Sequence, residues 1–254
     1  MKLVLLGDPV ERSRSPAIQT AALAAAGIDG SYEAQRVDAT GMVIAVDEIR
    51  YGRLHGANVT MPHKHLAFEL ADRVAEGALR SGAVNTLVRD RGEVWGHNTD
   101  VDGIRAVWAE KGLPDGAPVL ILGSGGAAAA AVVALAEHTI MVTARRPNAA
   151  ASLLTRTRID GAVQPWGTAV DGAVIVNATP LGMNGEAIPD GVLDGAAGFF
   201  DLAYGTDEAP SVARARTLGI PVTDGRDMLL AQAAVSFEIW TGVKAPIDVM
   251  RTAF

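Results

Sequence analysis

The feature that most constrains the fold is a strand–turn–helix pattern at residues 118–136. VLIL at residues 119–122 is a short apolar run, GSGGAA follows at residues 123–128, and residues 127–136 are rich in alanine. Because alanine is the strongest helix former, the pattern predicts a buried strand, a glycine turn and a helix. The N–H groups and positive dipole end of such a helix suit a phosphate. A tight turn in any α/β sheet is the alternative.

A second short strand, TIMVT at residues 139–143, is followed by Arg145 and Arg146. In a dinucleotide-binding fold, an acidic residue at this place holds the ribose 2′-hydroxyl of NAD. Guanidinium groups match a 2′-phosphate in shape and charge, whereas a carboxylate would repel it. We therefore predict NADP(H) as the cofactor, with Arg145 as the first candidate ligand and Arg146 as the second. A solvated pair at a helix start is the alternative.

The composition argues against several classes of protein. The 254 residues carry a net charge of −7, which disfavours general nucleic-acid binding. The absence of cysteine excludes disulfides, thiolate catalysis and cysteine-ligated metals. Residues 117–136 carry no charge, but Pro118 and the glycines interrupt them, so we expect no membrane span. The first residues do not resemble a signal peptide, and we expect a cytoplasmic location.

Strands and helices alternate along the chain in two series. The first hundred residues form one β/α series, and a second series contains the glycine turn. The pattern predicts helices at residues 72–79 and 102–111 and a hairpin turn at residues 90–92. Two β/α series predict an α/β protein with two domains and a ligand cleft between them.

Polar residues cluster where one predicted strand passes into a helix. Asn58, Thr60 and Lys64 lie there, and open α/β sheets bind ligands at the ends of strands. Lys64 is a candidate general acid or base because its ammonium is a compact hydrogen-bond donor. An exposed helical lysine is the alternative. His63 and His65 lack a third ligand and an HExxH motif, so we expect no metal.

A second polar cluster surrounds Asp100. This residue is either a helix N-cap or the partner that holds Lys64 and shares a proton network with a substrate hydroxyl. Asn85 adds an amide, and Ser13 and Ser15 add hydroxyls at a helix N-terminus, where a carboxylate is well held. The set suits a small polyhydroxylated acid better than an apolar substrate.

Eight stretches together resemble the shikimate dehydrogenase family, in that family's order and over nearly the whole chain. They are SRSP at 13–16, NVTMPHK at 58–64, GAVNT at 82–86, NTDVDG at 98–103, GSGGAA at 123–128, NATPLGM at 177–183, DLAY at 201–204 and DGRDMLLAQ at 224–232. The resemblance implies reversible NADPH-dependent reduction of 3-dehydroshikimate to shikimate. It also implies an α/β substrate domain, a Rossmann domain, and a last helix that returns to the first domain.

The resemblance assigns roles residue by residue. Lys64 and Asp100 would form the catalytic pair. The substrate would be held by Ser13, Ser15, Asn58, Thr60, Lys64, Asn85, Asp100, Tyr204 and Gln232. NADP would be held by Gly123, Ser124, Gly125, Gly126, Ala127, Arg145, Arg146, Thr179, Leu202 and Gly225. The implied domains are residues 1–100 for the substrate, residues 101–223 for NADP, and residues 224–254 packing back on the first. The alternative to a substrate-binding role for Gln232 is a half-exposed position on a helix.

The chain departs from the family at three positions. Ala144 replaces the asparagine that usually precedes the arginine, Thr206 stands where proline is frequent, and Gln19 stands where Asn or His is usual.

Two further functions compete with the shikimate reaction. One is a family member that acts on quinate or an aminoshikimate, with NADP or NAD. The other is a non-catalytic metabolite sensor, against which the presence of both Lys64 and Asp100 argues, since binding alone does not require that pair. We expect only small-molecule partners, with the protein a monomer or homodimer.

Overall fold

The computed structural model describes residues 1–205 and 208–254 and divides into two compact units. Met1–Gly103 and Leu229–Phe254 form the first unit, and Ile104–Met228 forms the second. Thr206, one of the departures from the family pattern, lies outside the described residues.

The first unit is built on a six-stranded mixed sheet. Its strands are β1 (Lys2–Gly7), β2 (Ser31–Arg36), β3 (Gly56–Val59), β4 (Arg73–Val74), β5 (Thr86–Asp90) and β6 (Glu93–His97). Their order across the sheet is β2-β1-β3-β5-β6-β4, with β1 parallel to both neighbours and β5 antiparallel to both of its own. The predicted hairpin turn joins β5 to β6, where Arg91 and Gly92 both have positive φ.

Helices of the first unit cover this sheet. They include α1 (Ser15–Ala25), α2 (Ala39–Arg50), α3 (Lys64–Leu70), α4 (Glu76–Ser81) and the start of α5 (Thr99–Lys111). The helix predicted at residues 72–79 is wrong in its first half, which contains strand β4. There the N–H groups of Asp72 and Ala75 donate to Val94 O and Gly96 O of β6, both at 2.9 Å. Pairing with a neighbouring strand overrides the local helix preference.

The second unit is a six-stranded parallel sheet. Its strands are β7 (Val119–Leu122), β8 (Ile140–Thr143), β9 (Gly161–Gln164), β10 (Val174–Asn177), β11 (Gly198–Asp201) and β12 (Val222–Thr223), with helices α6 (Gly126–Ala134), α7 (Pro147–Thr157) and α8 (Pro210–Thr217). The order β12-β11-β10-β7-β8-β9 is that of the Rossmann fold, whose ligands bind where the order reverses. That switch point lies between β7 and β10, which are both fully buried.

The chain ends with α9 (Gly225–Thr241) and α10 (Ile247–Thr252). From Leu229 onward it belongs to the first unit. Trp240 Nε1 donates to Leu87 O at 2.9 Å, and Gln19 Nε2 donates to Ala233 O at 2.9 Å. The predicted α/β class, the Rossmann domain and the return of the last helix are therefore confirmed. No described helix has the length and apolar character needed to cross a membrane.

Gly56→Ala should weaken the attachment of α9 to the first sheet. A Cβ at Gly56 would lie 2.5 Å from Trp240 Nε1 and 2.6 Å from Leu87 O, so atoms of a packed core must shift. We expect a loss of about 1–3 kcal/mol in the free energy of unfolding, measured with urea. Gly77→Ala, in helix α4, is the matched control, because a Cβ there would meet Val101 only at 3.7 Å. The control should be neutral or stabilising by up to about 1 kcal/mol, and equal losses in both variants would contradict this account.

Candidate active site

Lys64 and Asp100 form a largely buried ion pair in the first unit. Lys64 begins α3, and Asp100 is the second residue of α5. Lys64 Nζ lies 2.6 Å from Asp100 Oδ2, and the two side chains are 17% and 8% exposed. An exposed lysine and an N-cap aspartate, the two alternatives left open by the sequence, are therefore both wrong.

Asn85 holds the second oxygen of Asp100. Its Nδ2 donates to Asp100 Oδ1 at 2.9 Å, and its Oδ1 accepts the N–H of Thr99 at 2.8 Å. The Asp100 carboxylate is thus fixed at both oxygens. Lys64 carries three N–H donors, and Asp100 Oδ2 takes one of them. The arrangement can present a proton donor in a fixed orientation.

Gln232 approaches the same pair from α9. Its Oε1 lies 3.5 Å from Asn85 Nδ2 and 3.4 Å from Thr99 Oγ1, while its Nε2 donates to Leu229 O at 2.9 Å. The residue is only 7% exposed, so the half-exposed alternative is wrong.

Behind the ion pair lies a buried hydroxyl cluster that sequence reasoning missed. Ser236 Oγ donates to Gln232 O at 3.0 Å and lies 2.9 Å from Thr86 Oγ1 and 3.0 Å from Thr99 Oγ1. The available signal was the polar pair Gln232 and Ser236, which are four residues apart within the apolar stretch LLAQAAVSF at residues 229–237.

Asn58 belongs to this cluster. Its Nδ2 lies 3.1 Å from Asn85 O, 3.0 Å from Thr86 Oγ1 and 3.1 Å from Ser236 Oγ. Its Oδ1 accepts a hydrogen bond from the Tyr32 hydroxyl at 2.7 Å. The amide is therefore satisfied within the unit.

The remaining predicted hydroxyls of the first unit lie at the start of α1 and directly after β3. Ser15 begins α1 and is buried, and its N–H donates to Ser13 Oγ at 3.2 Å. Thr60 follows β3, is half-buried, and donates its N–H to Leu6 O at 2.9 Å. Within the part of the chain that the structure describes, none of the three hydroxyls bonds Lys64 or Asp100.

The glycine turn lies at the switch point of the parallel sheet. Gly123 has a φ of +120°, and a Cβ there would lie 2.8 Å from Ala178 O. Both constraints require glycine at this position. The turn after β7 therefore lies directly against the segment after β10.

The N-terminus of α6 follows this turn. The helix begins at Gly126 with no side-chain cap, so its first N–H groups are available to a ligand. A Cβ on Gly125 would meet nothing within 4 Å, which leaves room for a group beside the backbone. Ser124 and Ala127 are half-buried in the same segment. These donors and this space fit the pyrophosphate of a dinucleotide.

Arg145 and Arg146 follow β8 and are exposed, with Arg146 at the N-cap position of α7. Across residues 1–205 and 208–254, neither guanidinium pairs with a carboxylate, and no acidic residue stands at the end of β8. This donor set fits a 2′-phosphate and offers nothing specific to a free 2′-hydroxyl.

The other predicted residues of the second unit follow β10, β11 and β12. Thr179 Oγ1 donates to Asn177 Oδ1 at 2.6 Å, and the Leu202 N–H donates to Asn177 O at 2.9 Å. Tyr204 and Gly225 line one surface cavity. All four residues thus follow the carboxyl ends of parallel strands.

Asp201 is a fully buried carboxyl that sequence reasoning left without a role of its own. Its Oδ1 accepts from Asn177 Nδ2 at 2.8 Å and from the Ala203 N–H at 3.0 Å. Its buried Oδ2 has no hydrogen-bond partner among the described residues. Burial raises the pKa of Asp201 to about 7, although its two hydrogen bonds oppose the rise. A charged residue at the end of the apolar run GFFD was the available signal.

No three His, Asp or Glu residues come close enough to hold a metal ion in the described ranges.

The sequence is similar to known proteins along nearly its whole length. Residues 5–87 match the shikimate dehydrogenase substrate binding domain, and residues 225–253 match the shikimate 5′-dehydrogenase C-terminal domain. The shikimate dehydrogenase (NADP(+)) of Desulforamulus reducens is 36% identical, over 97% of this chain and 92% of that protein. The enzyme of the same name from Acidiphilium cryptum is 38% identical, over 96% of this chain and 91% of that protein.

The fold is similar to that of the shikimate 5-dehydrogenase of Thermus thermophilus in complex with NADP(H) and shikimate. The TM-score is 0.91 at 32% identity, covering 100% of this chain and 98% of that one. The Rossmann sheet with its glycine turn, together with these relatives, identifies the protein as an NADP-dependent oxidoreductase. The chain belongs to the shikimate dehydrogenase family.

Asp201→Asn should change how stability depends on pH. A carboxyl whose folded pKa is raised to about 7 binds its proton more tightly in the folded state than in the unfolded state. Its stabilising contribution is therefore complete below the unfolded pKa and is lost as pH rises through 7. Between about pH 4 and pH 7, the unfolding free energy of the wild type should fall by up to about 4 kcal/mol more than that of Asp201→Asn. Urea unfolding at a series of pH values measures this, and parallel profiles would contradict it.

Proposed function

We propose that this protein is an NADP-dependent shikimate dehydrogenase, which reversibly reduces 3-dehydroshikimate to shikimate. The observation that carries the proposal is the Lys64–Asp100 pair, held at 2.6 Å in a chain whose similar sequences include the shikimate dehydrogenases (NADP(+)) named above. A protein that only bound a metabolite would not need a buried ammonium oriented by a carboxylate.

Lys64 is the proton donor in this proposal. The hydride comes from NADPH, which is the chemistry that the cofactor supplies when bound. As negative charge develops on the oxygen of the reacting ketone, the Lys64 ammonium stabilises it and transfers a proton to it. Asp100 keeps the ammonium in place, and Asn85 keeps Asp100 in place. In the oxidation direction Lys64 accepts the proton from the hydroxyl.

We assign the substrate carboxylate to the hydroxyls of Ser13 and Ser15 at the N-terminus of α1, where the helix dipole favours an anion. We assign the ring hydroxyls to Thr60, Asn85, Asp100 and Gln232 of the first unit. Tyr204, a residue of the second unit, stays a substrate-binding residue by the family resemblance alone. We give Asn58 a positioning role, because both ends of its amide are engaged within the unit.

We assign the cofactor to the second unit. The turn at residues 123–127 holds the pyrophosphate, and Arg145, with Arg146 beside it, holds the 2′-phosphate. We place Leu202 and Gly225 beside the nicotinamide and keep Thr179 as a further residue of the cofactor site. By the domain bounds predicted from the sequence, residues 1–100 bind the substrate, residues 101–223 form the main part of the NADP domain, and residues 224–254 pack back on the first domain. A cytoplasmic location and a monomeric or homodimeric state remain predictions from the sequence.

One assay tests the function. Shikimate and quinate are each offered with NADP⁺ and with NAD⁺, and the absorbance of the reduced nicotinamide is followed. The proposal predicts the fastest reduction with shikimate and NADP⁺. Faster turnover of quinate would assign the chain to the quinate-specific alternative. No turnover with any pair, at a concentration where NADP⁺ binds, would indicate a sensor.

Lys64→Ala should lower kcat by roughly 10²–10⁴ and leave shikimate binding nearly unchanged. The variant removes a proton donor that acts in the transition state, while the hydroxyls and amides that hold the ground state remain. Steady-state kinetics and calorimetric titration with shikimate measure the two effects. Lys244→Ala, at an exposed lysine, is the matched control and should keep wild-type kcat. Near-normal turnover in Lys64→Ala would exclude the role.

Arg145→Ala should weaken NADP⁺ binding by roughly ten- to a hundredfold and leave NAD⁺ binding nearly unchanged, because only NADP⁺ carries the 2′-phosphate. Titration of each nucleotide gives the two dissociation constants. Arg156→Ala, at an exposed position in the last turn of α7, is the control and should affect neither. An equal loss of both nucleotides would contradict the assignment.

A further inference from the structure

We propose that Asp201 is a positioning residue that clamps together the segments after β10 and β11, and so fixes the place of the nicotinamide half of NADP. The inference rests on the proposed function, because the cofactor and its orientation come from there. The role is distinct from catalysis, since the carboxyl acts through backbone segments.

The clamp is a pair of side chains at the ends of two neighbouring parallel strands. Asn177 and Asp201 are in register as the last residues of β10 and β11, and both are fully buried. Asn177 Nδ2 donates to Asp201 Oδ1 at 2.8 Å and to Leu181 O at 2.9 Å. The Ala203 N–H donates to the same Asp201 oxygen at 3.0 Å. One carboxyl oxygen therefore connects both segments.

The clamped segments carry the groups assigned to the cofactor. The Asn177 amide oxygen accepts from both the N–H and the hydroxyl of Thr179, at 3.1 and 2.6 Å. The Leu202 N–H donates to Asn177 O at 2.9 Å. Loss of the Asp201 side chain would release Ala203 directly and leave an Asn177 donor unpaired.

Close packing transmits the clamp to the neighbouring turns. A Cβ on Gly123 would lie 2.8 Å from Ala178 O, and one on Gly225 would lie 2.5 Å from Ala203 O. The glycine turn therefore packs against the segment after β10, and the start of α9 packs against the segment after β11. The backbone around the switch point is held as one assembly, with the Asn177–Asp201 pair at its centre.

The clamp depends on the position of an oxygen rather than on charge. Asp201 Oδ1 accepts both hydrogen bonds, whereas Oδ2 is buried without a partner in the described ranges. Burial and the nearby Asp224 both raise the pKa of Asp201. A neutral side chain with an oxygen in the same place should therefore preserve the clamp, as Asp201→Asn would.

The test compares binding of whole NADP⁺ with binding of adenosine 2′,5′-bisphosphate, which lacks the nicotinamide half. Asp201→Ala should raise the dissociation constant of NADP⁺ by about tenfold and leave that of the bisphosphate within about twofold of wild type. Asn177→Ala, which removes the other half of the clamp, should show the same selective loss and serves if Asp201→Ala fails to fold. Asp201→Asn, which keeps an oxygen at this position, should bind NADP⁺ as tightly as the wild type does.

Ser211→Ala is the matched control. Ser211 is a buried residue of the same unit whose Oγ accepts the Ile188 N–H at 3.0 Å, so its loss also leaves a buried N–H unpaired. It should alter stability without altering the binding of either ligand. The proposed role would be wrong if Asp201→Ala or Asn177→Ala bound NADP⁺ as tightly as the wild type does. It would also be wrong if either variant lost affinity equally for NADP⁺ and for the bisphosphate. A wild-type protein that binds neither ligand would instead overturn the proposed function.

Discussion

The ion pair between Lys64 and Asp100 is the interaction around which the first unit is arranged. Moving a carboxylate and an ammonium out of water costs several kcal/mol per ion unless each is paired and hydrogen-bonded. The structure meets this requirement with Asn85 on the second carboxylate oxygen. Gln232 and Ser236 of α9 extend the network behind it. The return of α9 to the first unit therefore completes the polar environment of the pair as well as the apolar core.

Much of this arrangement could be predicted from the sequence because it depends on local patterns. The apolar run VLIL, the glycines and the alanines at residues 119–136 specify a strand, a turn and a helix with little competition. Arg145 and Arg146 could be predicted as candidate ligands of a 2′-phosphate, because no acidic residue stands beside them in the sequence. Lys64 and Asp100 could be named as candidates, but 36 positions separate them, and only the folded chain shows that they touch.

The sequence could not predict the features that depend on pairing across the fold. Residues 73 and 74 look helical alone and form a strand because β6 offers backbone partners. Asn58 looks like a ligand-binding amide, yet Tyr32 and the buried hydroxyls engage it. In the sequence, Asn177 and Asp201 are simply the polar last residues of two apolar strands. Only the parallel register of β10 and β11 shows that they lie side by side. In each case the deciding contact lies far along the chain, where local propensity carries no information.

The most direct test of proton transfer by Lys64 is a crystal structure of the full chain with NADP⁺ and shikimate bound, in which one distance is measured. We expect Lys64 Nζ to lie within about 3.2 Å of the shikimate hydroxyl that is oxidised, while still bonded to Asp100. A Lys64 ammonium directed to bulk water, with shikimate bound elsewhere, would contradict the assignment of this pair to proton transfer.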